Sequence, residues 1–561
     1  MRQSGWGTHA AAALGYLAAT LFVTWPLPAH LATSLPHDYG DPVFVAWVMA
    51  WVARHVTAAL TGNPAAWAAM WEAPIFAPEH ATLTYSEHFL GQTVPLLPVY
   101  WVTHNPLLLY NLAFLMSFVG AGLAAHGLAR RLTDSHWAGA VAGATFAFSG
   151  YRMLHSLPHL HTLSIQWWVF GLWALDVYAE TGRRRPLLVA TLALVLQNLS
   201  SSYFMAFTPP FTAMFAVWAL WRHGRLAERR AWVALGVCGV ASVALVLPIV
   251  VRYLALSTSL GVARSLEDVQ LLSVQWISFV FASSWLTPVA ILALAGAVAC
   301  ASGGRCGRLS GRAAIWLVGF ALVAFALAMG PRVQLGETSW PGPYAILYRF
   351  VPGFTGLRVA SRYVAVAMLF LSLLAGAAAA AAARTRRGGL RLAALAAVLA
   401  LTTAATAVAW REPFLLDVPL AFSNDFVLPP EYLRPRATMP RVYQFVRTLP
   451  AAATLVELPF GDIGYDIRYT YFTGMHERRE LNGYSGVLPP SYLARAKVLG
   501  APLADPDAAW AALAPATYAV VHTTAWHDET GHRVRAWLET HGAQVVVADI
   551  DGAWIYALPP R

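Results

Sequence analysis

Charge is what this sequence has least of. Asp, Glu, Lys and Arg make up 12% of its 561 residues, where a soluble domain carries about 25%. That shortage excludes a soluble globular protein of this size. Lysine is almost missing, Lys497 being the only one. Cysteine is scarce too: Cys238, Cys300 and Cys306 form no zinc-type spacing and no disulfide framework. No G-x-G-x-x-G follows a predicted strand and no Walker loop is present, which removes the common nucleotide-binding signatures.

Apolar and aromatic residues fill the space. The chain is 58% hydrophobic and has 23 Trp. Apolar segments fall near residues 9–30, 106–128, 137–153, 162–180, 187–202, 204–221, 231–251, 284–301, 313–330, 361–383 and 389–410. Segments of this length predict a polytopic α-helical membrane protein with about 11 transmembrane helices. The net charge of +10 is uneven: residues 1–410 carry the basic excess and the rest is mildly acidic. The excess therefore reads as topology, with the lipid bilayer as partner and no nucleic acid.

Arginine clusters occupy every second connection: Arg130 and Arg131; Arg183 to Arg185; Arg222, Arg225, Arg229 and Arg230; Arg305, Arg308 and Arg312; Arg384, Arg386, Arg387 and Arg391. An N-terminus inside places all of them in the cytoplasm, as the positive-inside rule asks. The expected orientation puts the C-terminal tail outside. The expected division is a membrane domain over 1–410 that includes the outer loop 31–105, a linker over 411–436, and an extracytoplasmic α/β domain over 437–561. In the tail, residues 455–458, 518–521 and 544–547 read as strands, with a hairpin around Asp549 to Gly552. Residues 441–449, 490–499, 507–513 and 531–541 read as helices.

Four places on the outer face hold residues suited to chemistry. The first is His37-Asp38-Tyr39-Gly40-Asp41-Pro42. Asp before Pro at a helix start reads as an N-cap; a carboxylate so fixed is also placed to act as a base, and Asp38 lies beyond any cap. The second is Tyr85-Ser86-Glu87-His88, either an ordered loop with a helix cap at Ser86 or a substrate contact through Glu87 and His88. The third runs from Tyr151 and Arg152 through His155, His159 and His161 to Gln166. Its histidine spacing, broken by Pro158, suits polar recognition better than a metal. The fourth is Gly356-Leu357-Arg358-Val359-Ala360-Ser361-Arg362. Two arginines four apart would share one helix face and suit a phosphate; snorkelling at a span end is the plainer reading. No cofactor is indicated, and no ligand set compels a divalent cation.

The arrangement resembles the GT-C superfamily of integral-membrane glycosyltransferases. The likeness rests on a first span, an acidic motif opening a large outer loop (here Asp38 and Asp41), an interface helix after it, and a many-span bundle with an outer C-terminal domain. The chain looks closer still to uncharacterised bacterial membrane proteins related to that superfamily. It carries their landmarks Gly40-Asp41-Pro42, Tyr85-Ser86-Glu87, Leu90-Gly91-Gln92, Phe148-Ser149-Gly150-Tyr151-Arg152 with His159, Gly356-Leu357-Arg358-Val359, Asn482-Gly483-Tyr484-Ser485-Gly486 and Pro489-Pro490-Ser491-Tyr492. It departs from the superfamily's paired acids, since Pro42 follows Asp41. The resemblance implies transfer of a sugar from a polyprenyl-phosphate donor to a glycan, lipid or protein acceptor, with Asp41 or Asp38 as general base. A transporter or flippase of a lipid-linked substrate, or a non-catalytic envelope assembly protein, is the alternative.

Overall fold

The computed structural model describes residues 5–560 except 156, 260, 262, 275–285, 304–305, 336–337, 386–388, 390–414 and 421–424. The expected span at 389–410 lies almost wholly outside the described residues. Among those described, six helices are long and apolar enough to cross a membrane: Asp41–Leu60, Pro106–Thr133, Ser202–Arg222, Arg229–Leu256, Gly311–Ala328 and Ala360–Ala383. Two shorter apolar helices, Gly7–Val23 and Val289–Ala301, accompany them.

The chain forms two compact units, Met1–Trp25 with Phe114–Phe414 and Pro26–Ala113 with Leu415–Arg561. The sequence grouped loop 31–105 with the spans; packing groups it with the tail. The reason is local and specific. Backbone bridges join Pro36 to Leu416 and Asp38 to Val418. The amides of Phe76 and Ala77 donate to the carbonyls of Asn482 and Glu480, at 3.0 and 2.7 Å.

The first unit is a helical bundle around Tyr363–Ala383, whose residues are almost all buried. Small residues let the neighbours approach. A Cβ on Gly376 would lie 2.6 Å from the Ala138 carbonyl, and one on Gly296 would strike the Leu374 carbonyl. Helices Arg184–Asn198 and Ser202–Arg222 meet at a three-residue break, and Ser201 caps the second. Asp176 is buried, and Arg131, Arg222 and His223 surround it with ion pairs.

In the second unit a five-stranded sheet has the order β4-β3-β5-β7-β6, with β1 and β2 forming a separate hairpin at Arg332–Leu335 and Thr338–Pro341 in the first unit. The strands are β3 Thr454–Leu458, β4 Arg479–Glu480, β5 Tyr518–His522, β6 Gln544–Ile550 and β7 Ala553–Ala557. β3 runs parallel to β4 and β5; β7 is antiparallel to β5 and β6. Asp551 and Gly552, both at positive φ, make the β6–β7 turn. Helices Arg441–Val446, Pro490–Leu499, Pro506–Ala512 and Thr530–Thr540 match the expected ones within a few residues. One helix, Ile463–His476, was not foreseen. It packs on the Asp41–Leu60 helix so closely that a Cβ on Gly474 would lie 2.8 Å from the Trp47 ring.

Candidate functional site

The acidic motif and the tail build one site inside the second unit. Asp41 opens the helix Asp41–Leu60, and its cap is Gly40, with no side-chain capping hydrogen bond. The capping reading of Asp41 is therefore corrected: Asp41 lies one position inside the helix, where its charge still favours the positive end of the helix dipole. Tyr484 donates its hydroxyl hydrogen to Asp41 Oδ1 at 2.8 Å. The Tyr484 ring stands edge-on to Phe44 at 5.3 Å, and its amide donates to Thr470 Oγ1 at 3.1 Å. A phenol locked at ring and backbone thus sets the orientation of the carboxylate.

Asp38 is held differently. Its Oδ1 accepts the Gly40 amide at 3.0 Å, and His37 Nδ1 lies 3.2 Å from Oδ2. It shapes the turn that presents Asp41. The tail clamps the residue between them. Arg434 Nε donates to the Tyr39 hydroxyl at 2.9 Å and its guanidinium pairs with Asp417. The buried Arg468 guanidinium lies 5.2 Å from the Tyr39 ring centroid. Burial, then the nearby Asp417 charge, holds the Tyr39 phenol above its ordinary range, so Tyr39 stays a neutral spacer.

Glu87 is half-buried. His88 is buried, and its Nδ1 accepts the Leu90 amide at 3.1 Å. Burial pushes the His88 imidazole down to about 4, which makes it a neutral structural group. Ser86 ends a short turn at Thr82–Tyr85 and starts no helix; the next helical turn follows Phe89, which has left-handed φ.

The remaining candidates lie in the first unit. Arg152 is fully buried. Its three nitrogens donate to the carbonyls of Ala147, Leu163 and Ser117 at 3.1, 2.7 and 3.0 Å. It ties backbone together, so contact with substrate is not its use here. Tyr151 is buried in the core and Gln166 packs on Gly120. The His155 side chain lies outside the described part.

The two arginines do not share a helix face. Leu357 and Val359 have non-helical ψ values of 113° and 80°, and helical turns resume only at Ala360–Arg362. The Tyr344 hydroxyl fixes this kink by donating to the Leu357 carbonyl at 3.0 Å. Arg358 is consequently exposed, while Arg362 is buried with its guanidinium 3.9 Å from the Tyr203 ring centroid. His161 stacks toward the same ring at 6.1 Å and meets His159 at 5.8 Å. Burial, then the charges of Arg362 and His159, hold His161 well below its ordinary value. Of the residues named from the sequence the structure thus gathers His159, His161 and Arg362, and adds Tyr203.

Tyr484, Arg434, Arg468 and Asp417 were missed by sequence reasoning. Only Tyr484 carried a signal, the Asn482-Gly483-Tyr484-Ser485-Gly486 landmark. A Cβ on Gly483 would lie 2.6 Å from the Phe76 ring, which explains glycine at that place.

No model of a known protein family matches the sequence, and no curated protein does. The chain is similar to two crystal structures of ArnT from Cupriavidus metallidurans. With the apo form it shares 13% identity over 99% of this chain and 100% of that one, at a TM-score of 0.44. With the form bound to undecaprenyl phosphate it shares 13% over 98% and 99%, at 0.46. At such identity and scores the likeness assigns no residue a role.

Proposed function

We propose that this chain is a GT-C-type glycosyltransferase of the bacterial inner membrane. It moves a sugar from a polyprenyl-phosphate donor to an extracytoplasmic acceptor. The observation that carries this reading is the Tyr484–Asp41 hydrogen bond. A tail tyrosine orients a carboxylate that stands in the first turn of its helix. The acid motif is thereby built as a positioned group, as the resemblance to that superfamily would require.

The proposed step is a single displacement. The acceptor hydroxyl attacks the anomeric carbon, its proton passes to Asp41, and the lipid phosphate leaves with the bonding pair. One such displacement inverts the anomer. A carboxylate serves as base here because it is held in place. Asp38 is the alternate base. On the resemblance alone, Arg362, over the Tyr203 ring, is the residue expected to hold a lipid phosphate; a guanidinium can grip phosphate oxygens in a bidentate manner. Eleven spans, a cytoplasmic N-terminus and an extracytoplasmic tail belong to the same proposal. Sixteen clustered arginines on one set of connections against eight on the other support that orientation.

The test is transfer in membranes from a panel of polyprenyl-phosphate sugars, with Asp41→Asn and Asp38→Asn made singly. Loss of transfer in Asp41→Asn with the protein still folded supports the reading. Full activity in both variants removes the base. No transfer by the unaltered protein from any donor leaves a transporter or an assembly protein in its place.

A further inference from the structure

Beneath the sheet of the second unit lies a cluster that the transfer reading does not use. Glu457 on β3, His476 at the end of Ile463–His476 and Glu480 on β4 are completely buried. One donor atom from each lies within 4.8 Å of the other two. Glu457 Oε1, both oxygens of Glu480 and Nε2 of His476 make no hydrogen bond among the described residues. His476 Nε2 and Glu480 Oε1 are 3.1 Å apart, without hydrogen-bond geometry. No Lys or Arg side chain among the described residues pairs with either carboxylate. Their only ionic partners among the described residues are histidines, His476 for Glu480 and His522 for Glu457; two carboxylates buried this close together with no Lys or Arg are strongly unfavourable unless a proton or a metal ion neutralises them.

We propose that Glu457, His476 and Glu480 bind one divalent cation of the zinc or manganese class. Two carboxylate oxygens and one imidazole nitrogen suit such ions. Calcium would ask for six or more oxygens, and magnesium for near-octahedral oxygen with several waters. Bonds of about 2.0–2.2 Å to each donor separate the donors by roughly 3–4 Å, which the cluster allows. The surroundings resemble an outer coordination layer. Glu457 Oε2 accepts the Tyr443 hydroxyl at 3.0 Å and meets His522 Nε2 at 2.6 Å. Those contacts leave Oε1 facing the cluster, as partners of a metal-bound carboxylate do. The Asn482 side chain pins the Glu457 backbone from both sides, at 2.8 and 3.0 Å.

One contact opposes uptake. His476 Nδ1 accepts the Arg478 amide at 3.1 Å, which puts the ring proton on Nε2. Binding must shift that proton to Nδ1 and cost the amide its acceptor. One neutral hydrogen bond is lost against three coordination bonds gained. The rival occupant is a single proton shared by the two carboxyl groups, which lie within hydrogen-bonding reach. The ion would tie β3, β4 and the intervening helix together, immediately before the loop that carries Tyr484. This proposal stands whether or not the chain transfers sugars.

The experiment uses the full chain, purified in detergent without chelator from cells supplied with zinc and manganese. Mass-spectrometric metal analysis should find about one zinc or manganese per chain, and under about a tenth of that in Glu480→Gln and His476→Ala. Stripping the unaltered protein with a chelator should lower its melting temperature, and Co2+ should restore it with visible d–d absorption. These last two measurements hold even if a variant fails to fold. An unaltered protein that carries no ion and melts identically with and without chelator overturns the proposal in favour of the shared proton. Metal retained in both variants overturns the ligand assignment.

Discussion

Tyr484 and Asp41 are 443 residues apart in sequence and 2.8 Å apart in space. Their contact links the tail to the opening turn of the first long loop, and it makes the phenol a positioning group for the proposed base. A hydrogen bond to a charged group contributes about 1.5–3 kcal/mol.

Tyr484→Phe removes that bond and keeps the ring against Phe44. Transfer should fall by roughly tenfold or more, mainly in kcat, with the fold kept and the melting temperature lowered by only a few degrees. Gly483→Ala is the companion variant. Its methyl group meets the Phe76 ring, so it should displace the loop and lower transfer with Tyr484 intact. Steady-state kinetics beside a thermal melt separate the two effects.

Arg362 and Arg358 should behave differently although they are four residues apart. Arg362→Lys keeps the charge and loses the planar group over Tyr203, so KM for the lipid donor should rise several-fold. Arg358→Lys, at an exposed position, should leave KM within about twofold. Equal effects from both would remove Arg362 from the phosphate role.

Arg152→Met tests the opposite assignment. It leaves three buried carbonyls without donors, each worth about 1–3 kcal/mol. The variant should lose at least about 3 kcal/mol of stability, seen as a large drop in melting temperature. Activity per folded molecule should survive.

Asp466 gives the second unit a pH dependence. Burial, the largest cause, pushes its carboxyl up to about 7, against donors from Asn482, Tyr492 and the Gly461 amide. In the unfolded chain the group titrates near 4. The folded form therefore holds the proton more tightly. This contribution is full below about pH 4 and is lost as pH rises through about 7. Backbone hydrogen exchange in 463–476 should report looser protection across that range, and Asp466→Asn should flatten the slope.

What the residues disclosed in advance follows from which forces are local. Long apolar runs and the short β-branched run at Tyr518 to Val521 announce themselves, because each depends on neighbours in sequence. The helix Ile463–His476 does not. Its sequence contains Gly464, Gly474 and several Tyr and Thr, poor helix formers, and almost every side is buried, so no apolar stripe stands out. That helix carries Asp466, Arg468, Thr470 and His476, so the part of the site it builds was hidden with it. Asp41 looked like a cap because Asp-Pro is a helix-start signal; nothing in the local sequence shows that Gly40 takes the cap position or that Tyr484 is the carboxylate's partner. The cation ligands stand at 457, 476 and 480, a spacing no local motif contains, and only the strand pairing of β3 with β4 closes it. Arg358 and Arg362 were misjudged because four-residue spacing implies one face only where the backbone is helical.

The second unit is assembled from Pro26–Ala113 and Leu415–Arg561, and residues 114–414 are made between them. At the usual 5–20 residues per second, a ribosome needs roughly 15–60 s to make that interval. For that time the strand edge at His37 to Tyr39 awaits Val418, and Asp41 awaits Tyr484. Biogenesis must therefore shelter a half-built domain while the bundle is inserted. A chain stopped anywhere before Tyr484 is released with its acid motif unformed, however many helices it has already placed.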